Sequence, residues 1–196
     1  MIHEIGTTKI LRTVYPNTDK LFADVSNRLE YITRQPNNLP QFIENGCCSF
    51  HNKDDSGKRL YEWTEFIDFL SFIKQNMREY LTSVSVMESD VRIAGMWANR
   101  YPPDTFVGIH NHRYLNDDKK IIIDMLYYIK REDNAGDLVI DIPEYGEYNV
   151  FMQQGDVIIF QSTLDHWTTS NKSASDKYVI GLELVDAVEG KRLDEI

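Results

Sequence analysis

A chain of 196 residues with 42% hydrophobic and 12% aromatic side chains can bury a proper core as one domain and lies outside the disordered range. Its net charge of −10 repels phosphate backbones, so nucleic acid is not expected as a partner. The two cysteines, Cys47 and Cys48, are adjacent and read as packing residues, leaving no disulfide framework or Cys-rich zinc site; with no long apolar run for a membrane and no secretory leader in MIHEIGTTKI, a soluble cytoplasmic protein is expected.

In chain order, the pattern predicts a single domain over 1–196, with a helical support region over 1–90 and a β core over 91–186. A short apolar strand is expected from Lys9 to Tyr15. Leu21, Phe22, Val25, Leu29 and Ile32 then recur at helical spacing, which predicts a helix from Thr18 to Arg34 with Thr18 as its cap, ended by QPNNLP. The polar segment SFHNKDDSGKR reads as a loop or a mobile flap. Phe66, Phe69, Leu70, Phe72, Ile73 and Met77 place a second amphipathic helix from Glu62 to Leu81.

From Val91 the register changes to short apolar or alternating runs: VRIAGMWANRY, TFVGIHNHRY, IIIDMLYYIK, DLVIDI, YNVFM, DVIIF, the segment around HWTTS, and KYVIGLELV. Breaks such as YPPD, DNAGD and QQGD, rich in Gly, Asn, Asp and Pro, separate them. This series of short strands predicts a mainly β sandwich or barrel behind the N-terminal helices.

Of five histidines, three fall where a mononuclear metal site needs them. Alternate residues of a strand share a face, so a strand from Thr105 to Tyr114 aims His110 and His112 at one point, and His166, after a later strand, closes a facial set. Three imidazoles suit a transition metal and leave coordination positions open. The plainer reading of His110 and His112 alone is a pair of surface histidines. Asp124, in IIIDMLYY, is the alternative carboxylate ligand; its plainer reading is an edge-strand or hydrogen-bonded Asp. Tyr127 and Tyr128 face opposite ways, so only one can reach the site, and Tyr128 shares its face with Asp124 and Leu126. Lys177 opens the last strand with Val179, Gly181 and Glu183 on its face, where an ammonium could hold a dianion. The spacing alone fits a solvated lysine as well.

NRYPPDTFVGIHNH, DMLYYIKREDNAGDLVIDIP and GDVIIFQSTLDHWTTSNKSASDKYVIGLEL together resemble the iron(II)- and 2-oxoglutarate-dependent oxygenases of the small bacterial and phage type. The resemblance rests on a W-x-N strand, an H-x-H pair, a paired-tyrosine strand, G-x-L, a G-D-x-x-x-F turn, a distal His and a basic residue about ten positions later, spanning roughly Val91 to Val185. It implies a double-stranded β-helix, that is, a jelly roll of cupin-like form, with the N-terminal helices bracing its outer face. It also implies an iron(II) site at His110 and His166, and Lys177 on the 5-carboxylate of 2-oxoglutarate. Trp97, Asn99 and Tyr128 are the further co-substrate candidates. His112 departs from the aspartate or glutamate of the larger superfamily, so the third ligand is either His112 or a carboxylate such as Asp124.

The activity implied is a dioxygenase that consumes dioxygen and 2-oxoglutarate and hydroxylates a small-molecule or protein substrate. A cupin-type dioxygenase or isomerase with a three-histidine metal is the alternative, although HNHRYLNDDKK lacks the glutamate that a cupin places after its His-x-His. A barrel-fold binding protein without turnover is the third reading.

Overall fold

The computed structural model describes residues 1–35, 43–44, 47–49, 52–88, 91–112, 120–186 and 191–192. The strands are β1 (Ile2–Ile5), β2 (Thr8–Val14), β3 (Ile43–Glu44), β4 (Cys47–Cys48), β5 (Val91–Tyr101), β6 (Phe106–Val107), β7 (Lys120–Lys130), β8 (Leu138–Ile142), β9 (Gly146–Val150), β10 (Asp156–Gln161), β11 (His166–Thr168), β12 (Lys177–Asp186) and β13 (Lys191–Arg192). An antiparallel eight-stranded sheet runs β1-β2-β10-β7-β12-β5-β13, with β4 also on β5. A smaller sheet, β11-β8-β9, faces it, and β6 pairs with β3. Reciprocal backbone hydrogen bonds between His110 and His166 tie the segment after β6 to β11.

Strict alternation on the long strands splits the core into two layers. Met125, Tyr127 and Ile129 of β7, Ile180, Leu182 and Leu184 of β12 and Val157 and Ile159 of β10 point outward to helices α1 (Thr18–Arg34) and α2 (Ile67–Ser83). Their neighbours Tyr128, Val179, Ile158 and Phe160 point inward, against Leu138, Ile140 and Ile142 of β8. Each central strand is therefore apolar on both faces and reads as a near-continuous hydrophobic run. The result is the double-stranded β-helix that the sequence implies, braced by helices on the outside.

Several local expectations change. β1 and β2 join the large sheet beside β10, so the N-terminal region contributes strands as well as helices to the barrel wall. Asn17 precedes α1 without a side-chain cap; Thr18 instead is buried, donating its hydroxyl hydrogen bond to the Tyr15 carbonyl and accepting one from Tyr127 Oη. Before α2, the expected helical run breaks into two 3-10 turns, Leu60–Glu62 and Thr64–Phe66. Trp63 between them is extended and buried with the Arg28 guanidinium 3.8 Å from its ring centre, and packing that indole interrupts the helix. The described part of the polar loop is a pinned turn: Asp54 accepts hydrogen bonds from Ser56 N, Ser56 Oγ, Lys58 N and Arg28.

Phe69 ties the helices to the sheet. Its ring stacks on Tyr127 with centroids 4.3 Å apart and meets Tyr15 edge-on at 5.2 Å. Phe69→Ala is expected to lower unfolding stability by about 3–5 kcal/mol. Urea unfolding measures this, and a loss below about 1 kcal/mol would show that the outer layer does not depend on this contact.

Candidate metal centre and anion pocket

The structure brings His110, His112 and His166 together. Their ring centroids are 4.3, 4.9 and 5.2 Å apart, and one ligand nitrogen of each lies within 4.8 Å of the other two. The strand expected over Thr105 to Tyr114 is shorter: β6 ends at Val107, and residues 113–119, including Tyr114, lie outside the described residues. Beyond β6 a local hydrogen bond forms. His110 Nδ1 lies 2.8 Å from the Gly108 carbonyl, and His166 Nδ1 repeats the pattern at 3.0 Å from the Leu164 carbonyl. Each ring curls back on the backbone two residues earlier and engages a carbonyl that a neighbouring strand could otherwise use.

A carbonyl oxygen only accepts, so Nδ1 of His110 and His166 must be the protonated nitrogen and Nε2 carries the lone pair. Burial first, and then the neighbouring imidazoles, pull the two pKa values down, to about 4 for His110 and about 3 for His166. Both rings are therefore neutral donors at neutral pH, as metal ligation requires. Phe160, from the large sheet, meets the His166 ring edge-on at 5.0 Å, which holds the ring between the two sheets.

His112 is held differently. Its Nδ1 is 2.7 Å from Glu183 Oε1 and 3.1 Å from Asp124 Oδ1, both carboxylates being buried. Burial works against a charge on this ring, but hydrogen bonds to the two carboxylates push its pKa up to about 10. A cation at Nε2 would replace the proton there. Asp124 thus sits behind His112 on the interior strand β7, and neither carboxylate groups with His110 and His166 among the described residues. Glu183, which sequence reasoning placed only on the face of Lys177, is the site residue it missed; the inward register of β12 was its one signal.

The donor set fits a divalent transition metal: three imidazoles on one side, two of them fixed in the ligating tautomer and the third backed by carboxylates. The ligands would be His110, His112 and His166.

Lys177 is 1% exposed, which removes the reading of a solvated lysine. Its Nζ lies 4.6 and 5.8 Å from the ring centres of Tyr101 and Tyr128, and it donates a long hydrogen bond of 3.3 Å to the Gly136 carbonyl. Gly136 has φ +79°, and a Cβ there would lie 2.2 Å from the Thr169 carbonyl oxygen, so only glycine presents that carbonyl in this way. No carboxylate lies within ion-pair distance of Nζ among the described residues; Asp137 is engaged by Arg131 at 2.7 Å. Burial and then Arg131 push the lysine pKa down to about 7, with Asp137 acting the other way. Tyr128 Oη is buried with no hydrogen-bond partner. Two buried donors therefore stand near each other without an acceptor worth their burial.

Trp97 and Asn99 face inward on β5, opposite Gly181 and Val179 of β12. A Cβ on Gly181 would lie 2.5 Å from the Trp97 ring, so the glycine makes room for that indole. Trp97 then stands 6.4 Å from the His112 ring and walls the site.

No family model matches the sequence, and no curated protein matches it. Solved structures do. A prolyl-4-hydroxylase from Pseudomonas putida aligns over 91% of this chain and 92% of its own, with 14% identity and a TM-score of 0.66. The viral collagen prolyl hydroxylase from Paramecium Bursaria Chlorella virus-1, as its 2-oxoglutarate complex, aligns over 91% and 96% with 14% identity and a TM-score of 0.61. HygX from Streptomyces hygroscopicus, with nickel and 2-oxoglutarate bound, aligns over 92% and 84% with 13% identity and a TM-score of 0.60. The chain has the fold of the 2-oxoglutarate- and iron(II)-dependent oxygenases.

The lysine makes a pH prediction. Unfolded, Lys177 keeps its proton up to its ordinary value of 10.5; folded, it releases it near 7. Between those values the unfolded chain binds more protons, so the Lys177 contribution to stability rises with pH. Thermal unfolding from pH 7 to 9 should show a steeper gain for the wild type than for Lys177→Met. Equal slopes would contradict the buried, uncompensated ammonium.

Proposed function

We propose that this protein is an iron(II)- and 2-oxoglutarate-dependent oxygenase that hydroxylates a small-molecule or protein substrate. The observation that carries the reading is the pairing of a three-histidine cluster with a buried, unpaired ammonium inside one barrel. A cation site alone fits a cupin-type enzyme equally well. The lysine adds a need for an anion, and a dicarboxylate anchored at Lys177 answers it. Several structures of the same fold contain 2-oxoglutarate, among them the viral prolyl hydroxylase and HygX, which supports the same assignment.

In this reading His110, His112 and His166 would hold the metal. Lys177 Nζ and Tyr128 Oη would donate to the distal carboxylate, and the carbonyl of Gly136 holds the ammonium in place. Trp97, seated on Gly181, and Phe160 exclude water and stop the imidazoles from turning. Iron(II) and 2-oxoglutarate together would supply the oxidising power, with dioxygen consumed and 2-oxoglutarate decarboxylated to succinate. Neighbours of this fold bind chemically different molecules: a prolyl hydroxylase was solved in complex with a peptide fragment of hypoxia inducible factor, and HygX with hygromycin B bound. Among the described residues no helix is long and apolar enough to cross a membrane.

Supplied with iron(II), 2-oxoglutarate and air, the protein should release succinate. Lys177→Ala should weaken 2-oxoglutarate binding by about ten- to a hundredfold, the value of one charge-assisted, partly desolvated contact, while metal binding persists. Lys177→Arg should retain part of the affinity, and His166→Ala should abolish metal binding. No 2-oxoglutarate binding by a metal-loaded wild type would turn the assignment to the cupin-type reading.

A further inference from the structure

We propose that Asp124 and Glu183 form a charge-compensating pair that acts on the metal centre through His112, replacing from one residue further out the negative charge that a carboxylate ligand would contribute directly. The inference rests on the reading that the three histidines hold a divalent cation, and it assigns a role to two residues that do not touch it.

Asp124 on β7 and Glu183 on β12 are direct cross-strand partners in the middle of the large sheet. They are 2% and 5% exposed. Like charges directly opposite each other destabilise a sheet, and burying either carboxylate carries a large desolvation cost. No lysine or arginine pairs with either among the described residues. Their shared partner is His112 Nδ1, at 3.1 Å from Asp124 and 2.7 Å from Glu183, and the outer oxygens Asp124 Oδ2 and Glu183 Oε2 have no hydrogen bond. One N–H for two carboxylates is a poor structural device. A single acid, or an apolar pair, would hold the ring at lower cost.

The arrangement becomes balanced once the opposite edge of the imidazole is considered. With Nδ1 engaged by the carboxylates, Nε2 is the nitrogen left for the cluster with His110 and His166. A carboxylate on the far N–H orients a ligating imidazole and raises its donor strength. Three neutral imidazoles around a divalent ion leave the centre at +2, and the two buried carboxylates bring it to zero. One consequence concerns position 112 itself. Histidine and aspartate are not exchangeable there, because an aspartate would place a third carboxylate against Asp124 and Glu183.

The test is anaerobic calorimetry of manganese(II) and cobalt(II) binding to the full-length apoprotein, paired with its thermal unfolding. Asp124→Asn and Glu183→Gln keep the shapes and remove the charges. Each should weaken metal binding by about ten- to a hundredfold. The apoprotein melting temperature should hold or rise, since the removal also relieves the cross-strand repulsion. His112→Asp alone should bind metal poorly, and adding Asp124→Asn and Glu183→Gln to it should restore affinity. A structural role would give the opposite pattern, with stability lost and no rescue.

Unchanged metal affinity in both single variants, or affinity lost only in step with apoprotein stability, overturns the proposal. So does a His112→Asp variant that binds as tightly as wild type without the amide substitutions. His110→Ala separates the two levels. If it binds metal as tightly as wild type, the three-histidine reading itself fails; if it loses metal while the amide variants do not, only the compensating pair is refuted.

Discussion

The centre depends on hydrogen bonds made by the nitrogens that face away from it. His110 and His166 each give Nδ1–H to a backbone carbonyl two residues earlier, and His112 gives its own to two carboxylates. These contacts fix which ring nitrogen is free and where it points before any cation arrives. Pre-organisation of this kind places ligands within a narrow geometric tolerance.

The register of the surrounding strands positions that geometry. The outer layer, where Phe69 stacks on Tyr127 and Tyr127 is anchored to Thr18, holds β7 in register. Because residues on β7 alternate strictly, fixing Tyr127 outward also fixes Asp124 and Tyr128 inward, one behind His112 and the other beside Lys177. A single strand register therefore serves both halves of the site. Among the described residues, the buried charged groups that lack a lysine, arginine or carboxylate counter-ion fall into two clusters of opposite need: the carboxylates Asp124 and Glu183, which call for positive charge, and the ammonium of Lys177, which calls for negative charge. A metal at one and a dicarboxylate at the other would satisfy both.

Much of this was legible in the sequence, because period-2 alternation and turn residues survive packing unchanged. The inward face of β12, the opposed directions of Tyr127 and Tyr128, and the convergence of His110, His112 and His166 were all readable from spacing. What the sequence hid depends on registry between distant strands. That Glu183 faces Asp124 is a fact about how β12 pairs with β7, and that Gly181 lies under Trp97 is a fact about how it pairs with β5. The broken start of α2 was hidden for a related reason, since the burial of Trp63 against Arg28 overrides a helical pattern that is otherwise continuous. The burial of Lys177 was ambiguous in SASDKY, because a lysine at a strand end is usually solvated and only the position of the DNAGD turn encloses it.

The most direct measurement is the visible absorption of the anaerobic iron(II) protein on addition of 2-oxoglutarate. A 2-oxo acid chelated to iron(II) through its carboxylate and keto oxygen gives a metal-to-ligand charge-transfer band, which glutarate, lacking the keto group, does not. A band that appears with 2-oxoglutarate, is absent with glutarate and is lost in His112→Ala would join the three histidines and the dicarboxylate in one centre. Iron(II) bound with no band at saturating 2-oxoglutarate would contradict it.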